Sequence, residues 1–224
     1  YQPFTGGRNP LYLNPGLNAF LNVSLTDLLE DYRITGGVRL NTNLVNNEYV
    51  LSFQNYKHRL NKEYVFYRQA LDEYRESPVI HNRIFLVRHR IHEFHYILTW
   101  PFTRVLSLKG SLVYKHDKAV HLATDQLSLL QDDRTRNWAG AKAELIYDDS
   151  RPLGTNLHLG TRAKLFGEYY QGITEDNNNM VVIGLDIRHY LPVHRNFIWA
   201  NRFAASTSFG NNLLIYYLGG VDNW

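Results

Sequence analysis

Over long stretches of this chain every second residue is apolar. In residues 104–115, Leu106, Leu108, Gly110, Leu112 and Tyr114 share one parity, and Ser107, Lys109, Ser111, Val113 and Lys115 share the other. Residues 156–170 set Leu157, Leu159, Ala163, Leu165 and Tyr169 against Asn156, His158, Gly160, Arg162, Lys164 and Glu168. Residues 181–191 set Val181, Ile183, Leu185 and Ile187 against Gly184, Asp186, Arg188 and Tyr190. A period of two belongs to an extended strand, whose side chains point alternately to opposite faces. Each strand here therefore meets two different solvents.

The same alternation runs through residues 18–26, 33–41, 49–56 and 139–148, where Lys142 and Glu144 oppose Ala143, Leu145 and Tyr147. Turn-forming clusters punctuate it at 43–47, 131–137, 150–155, 175–179 and 210–212. At roughly 20 residues per strand and connection, the chain has room for about ten or eleven strands in one antiparallel meander. Residues 61–90 keep no single parity. Within them, 64–74 fit a short amphipathic helix or a strand that leaves the membrane for a long loop, and a strand is expected.

Composition decides what the polar face meets. No run of about 18 apolar residues occurs, so no helix of this chain spans a bilayer. Strands of roughly 9–13 residues exceed those of soluble sheets and match the length that a tilted transmembrane strand needs. The polar parity carries long Arg, Lys and Glu side chains of both signs, as a water-filled or plugged lumen requires. Aromatic residues gather near strand ends, among them Tyr64, Phe66, Tyr67, Trp100, Phe102, Tyr147, Tyr169, Tyr170, Tyr190, Phe197, Trp199, Tyr216 and Tyr217, where interfacial girdles form. The expected fold is all-β: an antiparallel transmembrane β-barrel of the outer-membrane type, with a lead-in over 1–13 and the barrel over 14–224. A soluble β-sandwich or lipocalin-like barrel is the alternative.

The 16 Tyr, 11 Phe and 4 Trp, with 24 basic against 21 acidic residues, exclude a disordered chain. The absence of Cys excludes disulfides, thiolate metal sites and cysteine nucleophiles, and fits an outer-membrane or periplasmic protein, though a cytosolic one can also lack Cys. A pI near 9.0 rests on a net charge of only +3. The basic residues are spread along the chain, without the concentrated stripe that nucleic acid would need.

The chemistry-bearing residues form no catalytic constellation. His89 and His95 share one strand face and His92 takes the other, so the three do not converge on one metal ion. Asp132-Asp133 and Asp148-Asp149 sit in turn positions, where a carboxylate caps its own backbone. No Gly-x-Ser-x-Gly, P-loop or dinucleotide fingerprint occurs. No catalytic residue, metal or cofactor is expected. Instead, Arg39, Lys109, Lys142, Glu144, Arg162, Lys164, Glu168, Asp186, Arg188 and Arg202 share the polar parity and are expected to form a lumenal charge network.

Two segments resemble a known family. Residues 138–171, WAGAKAELIYDDSRPLGTNLHLGTRAKLFGEYYQ, are similar to a strand, Asp-rich turn and strand of BamA-type outer-membrane barrels, with a Y-D-x-x-x-P-x-G turn. Residues 203–220, FAASTSFGNNLLIYYLGG, resemble that superfamily's strand that ends in an aromatic pair, an aliphatic residue and Gly-Gly before a loop folded into the lumen. The whole is also similar to the barrel that follows a periplasmic β-propeller in Bacteroidetes-type Gram-negative bacteria. The resemblance implies an outer-membrane protein that inserts or translocates polypeptide clients, with outer-membrane lipid around it, periplasmic or lipoprotein partners, and no enzymatic turnover. A passive pore, an anchor for a periplasmic domain and a rim hydrolase are the competing classes. The family's inward Arg-Gly-aromatic motif and further strands are expected beyond Trp224, in a longer protein, and any signal peptide before Tyr1.

Overall fold

The computed structural model describes residues 18–41, 47–76, 84–122, 132–154, 157–174, 178–194 and 197–211. The 1–13 lead-in, most of the turn cluster at 43–47, and the Gly219-Gly220 end lie outside the described residues. The rest form strands: β1 (Asn18–Thr26), β2 (Tyr32–Asn41), β3 (Glu48–Asn55), β4 (Asn61–Glu76), β5 (Ile84–Pro101), β6 (Leu106–His121), β7 (Arg134–Asp148), β8 (Arg151–Gly154), β9 (Leu157–Gly172), β10 (Asn179–His194) and β11 (Phe197–Gly210). Ten of them pair in chain order in one antiparallel meander, and β8 pairs with β9. β8 prolongs the β7–β9 hairpin in the same register as far as Pro152, since Asp148 faces Arg162 and Arg151 faces Leu159, and the register then shifts by one between Pro152 and Gly154.

Residues 64–74 are strand, not helix. Several strands are longer than their alternation suggests: β5 has 18 residues and β4, β6, β9 and β10 have 16 each. The cause is visible on β4 and β5, where one face is aromatic or aliphatic at Tyr64, Phe66, Phe94 and Leu98, then turns to Arg68, Asp72, Arg88 and Arg90. These strands continue past the apolar zone into a polar one while keeping their ladder. A single parity test over residues 61–90 fails because the solvent changes along the strand.

The connections at one end of the sheet are short and capped by side chains. Asp27 accepts a hydrogen bond from the Asp31 amide at 2.9 Å, Asn55 from that of Lys57 at 3.1 Å, Thr103 from that of Leu106 at 3.0 Å, and Asp148 from that of Ser150 at 3.0 Å. Such Asx and Thr turns satisfy backbone groups that the ladder leaves free. The Asp148 turn closes against Gly160, at a φ of +99°, where a Cβ would collide with the Asp149 carbonyl. That position admits only glycine without strain.

Burial shows which way the sheet curls. Leu112 is 59% exposed and its neighbour Val113 only 7%. Among the described residues, every buried side chain except Ala70 lies on the parity of Val113, carried across the sheet by the strand register. Side chains inside a curve converge and those outside splay, so the charged face is concave and the aliphatic face convex. Such a wall is hydrocarbon-compatible outside and polar within, the arrangement of an outer-membrane barrel. β1 and β11 are its two edges among the described residues.

The apolar stripe crosses the wall obliquely. The hydrogen-bonded row through Val23 passes Gly36, Leu51, Phe66, Phe94, Tyr114, Ala139 and Gln171 and reaches Asn179 on β10. Val23 is central to the stripe on β1, whereas the stripe on β10 centres near Leu185. The drift is roughly 20 Å along the strands over roughly 40 Å of sheet, a tilt of about 30°.

The ten aliphatic side chains singled out by parity, Leu106, Leu108, Leu112, Leu157, Leu159, Leu165, Val181, Ile183, Leu185 and Ile187, lie on the convex parity. Leu112→Arg is expected to destabilise the barrel by about 2–4 kcal/mol and Ser107→Arg, on the concave face, by far less. Urea titration of the full-length protein in phospholipid vesicles measures both.

Candidate functional site

The concave face is the part of the molecule with chemistry on it, and it is organised as cross-strand ion pairs. Side chains directly opposite on antiparallel strands stand within reach of each other, so alternating charge along one parity becomes a lattice once the strands pair. All ten residues proposed for the lumenal network sit on this face by register.

From β7 to β11 they join closely. Lys142 lies 2.8 Å from Glu168 and 3.2 Å from Glu144, and Lys164 approaches Glu144 at 3.7 Å. Arg162 pairs with Asp148 at 3.0 Å, and Asp186 takes Arg188 at 3.3 Å and Arg202 at 3.1 Å. Phe166 stands among them, with the Lys142 and Lys164 ammonium groups 5.4 and 5.1 Å from its ring centre. Its ring covers Gly184 and the Tyr170 ring covers Gly140, so a Cβ at either glycine would meet the aromatic face. Glycine lets an aromatic residue lie flat on the wall, where cations reach its π-face. Lys109 faces Glu144 in register, but among the described residues it makes no ion pair. Arg39 joins a separate group, 3.2 Å from Glu48, which also accepts from Gln69 at 2.9 Å.

Two groups on this face escaped the sequence analysis. Glu63 accepts from Ser52 at 3.0 Å and Gln54 at 2.9 Å. Glu93, only 2% exposed, holds Lys115 at 3.3 Å and His95 at 3.1 Å, while His89 meets Asp117 at 3.2 Å. The missed signal was phase: counting back by twos from Leu98 and Trp100 puts Glu93, His95 and His89 on the opposite, concave face. His92 lies on the convex side, 6.0 Å from His116 between ring centres. The paired aspartates do structural work, Asp148 in its turn and ion pair and Asp133 with Lys118 at 3.2 Å.

No protein-family profile and no curated protein sequence matches the chain. Among solved structures it is similar to BamA from Haemophilus ducreyi lacking POTRA domains 1–3, with a TM-score of 0.63 and 15% identity. That match covers 92% of this chain and 42% of the BamA chain. The likeness fixes the fold as that of a BamA barrel wall.

Glu93 is the network's most deeply buried carboxylate. Glu93→Ala strips the carboxylate from Lys115 and His95 and is expected to cost about 3–5 kcal/mol. Arg188→Ala, which leaves Asp186 paired with Arg202 on a wetter part of the wall, is expected to cost less than about 1 kcal/mol. Denaturant unfolding of the vesicle-embedded protein, followed by tryptophan fluorescence, separates the two.

Proposed function

We propose that the chain is part of an outer-membrane barrel that inserts or translocates polypeptides, acting by binding and not by turning over a small substrate. The observation that carries this reading is the BamA-type fold of the wall. In such a barrel a client strand adds to an exposed sheet edge through main-chain hydrogen bonds, the interaction known as β-augmentation. No step of it needs a catalytic side chain.

β1 has the properties that such an edge requires. It has nine residues, against 14 to 18 in the longest strands of the wall. On its concave side Asn22 faces Gly37, and Ser24 meets Thr35 in a single long hydroxyl contact of 3.3 Å. Among the described residues no ion pair joins β1 to β2, and its outer edge is unpaired. The charge lattice from β7 to β11 holds the opposite side of the wall in shape. The resemblance of the chain as a whole to the barrel that follows a periplasmic β-propeller extends the reading to a Bacteroidetes-type protein with periplasmic or lipoprotein partners.

Depleting the full-length protein in its own bacterium and quantifying outer-membrane proteins tests the proposal. A severalfold fall in a set of β-barrel or surface-exposed proteins is expected. Unchanged levels would refute it and favour a passive pore or anchor.

A further inference from the structure

One patch of the convex face is not aliphatic. Where the stripe ends on β4–β6, a hydrogen-bonded row presents Arg68, His92 and His116 outward, and the next row presents Arg90 and Lys118. Lys118 is neutralised by Asp133 at 3.2 Å, and farther out Arg88 is held by Asp72 at 2.7 Å. Arg68 and Arg90 have no ion pair among the described residues. Arg68 lies with its guanidinium 5.4 Å from the centre of the Tyr49 ring, which orients it without cancelling its charge. At the opposite rim Arg59 donates to the Pro101 carbonyl at 3.2 Å and stacks over Trp100 at 4.9 Å. Among the described residues two neighbouring guanidinium groups, those of Arg68 and Arg90, are therefore left without a carboxylate at this edge of the hydrocarbon zone.

Directly below this patch the convex face is hollow. Tyr96, Leu98, Gly110, Leu112 and Ala141 line an open recess of about 320 Å³. It exists because Gly110 and Ala141 are small while Leu98, Tyr96 and Leu112 stand up around them. Leu112 and His116 are four residues apart on β6, so the recess lies about 13 Å from the cationic row. That separation takes a molecule from headgroup depth to acyl-chain depth.

We propose that this face seats one phosphate-bearing lipid, with its phosphate against Arg68, Arg90 and the two histidines and an acyl chain in the recess. The patch lies at the end of the sheet where connections are long, with 12 residues between β6 and β7 against four between β5 and β6. In outer-membrane barrels the longer connections are extracellular, which commits the lipid to the outer leaflet and to a phosphorylated glycolipid of the lipid A kind. An ordinary solvated strand extension would pair its cations with carboxylates, as Lys118 and Arg88 are paired but Arg68 and Arg90 are not among the described residues, and would have no reason to overlie a pit.

Native mass spectrometry of the full-length protein, with bisphosphorylated lipid A and phosphatidylglycerol as probes, tests the assignment. Wild-type protein is expected to retain one lipid A molecule. An R68Q/R90Q variant should bind it roughly tenfold or more weakly. Gly110→Leu should weaken it comparably while removing no charge, and nothing lies within 4 Å of the Cβ it adds, so the wall accommodates it. Heat-modifiable gel mobility confirms that both variants fold. Wild-type retention by either variant overturns the seated-lipid assignment, and preference for phosphatidylglycerol overturns its outer-leaflet source.

Discussion

Hydrocarbon offers the peptide group no hydrogen-bond partner, and that one fact dictates most of this structure. An unpaired N–H or C=O in lipid costs several kcal/mol, so the chain crosses as strands that each pair on both sides, from β2 through β7 and on through β9 and β10. The ladder then supplies nothing to distinguish one face from the other. Side-chain parity does that, and the long unbroken registers of β4 with β5 and β5 with β6 exist because a one-residue slip would put Glu93 in lipid and Phe94 in the lumen. At the short turns, where the ladder stops, Asp27, Asn55, Thr103 and Asp148 take over the same task.

The concave face answers the complementary problem of keeping many charges in a narrow space. Its charges neutralise one another across neighbouring strands, so that Lys142 bridges two carboxylates and Asp186 bridges two guanidinium groups. Each link ties adjacent strands or two positions of one strand, and together they stiffen the wall between β7 and β11. β1 carries no charge on its concave parity, where Phe20, Asn22 and Ser24 stand opposite Arg39, Gly37 and Thr35 of β2. Among the described residues the ion-pair links are thus dense between β7 and β11 and absent between β1 and β2.

The fold was legible in the sequence wherever one solvent holds along a whole strand. Leu157 to Tyr169 and Val181 to Ile187 declare strand, face and environment at once, and the ten network residues follow from the same parity. Legibility fails on β4 and β5, because Arg68, Asp72, Arg88 and Arg90 share the parity of Phe66 and Phe94 but lie past the end of the apolar zone. Glu93 and Glu63 were lost for that reason, and Lys115, on the legible polar parity of β6, was left without its partner. The separation of His92 from His89 and His95 was legible because it needs only local alternation. Which lysine meets which carboxylate was not, since pairing depends on register between strands as well as phase within one.

The oblique course of the apolar stripe gives the wall the character of a screw thread. Two residues, about 6.6 Å, is the smallest slip between neighbouring strands that returns each side chain to its own solvent. With strands inclined by about 30°, most of that step is displacement along the membrane normal. A strand that moves one notch therefore lifts its band of leucines out of the hydrocarbon by about a fifth of the band's 25 Å height. Bilayer thickness and strand register are in this way one variable: the membrane acts as the nut on the thread, and a local change in thickness is a force directed along the strands.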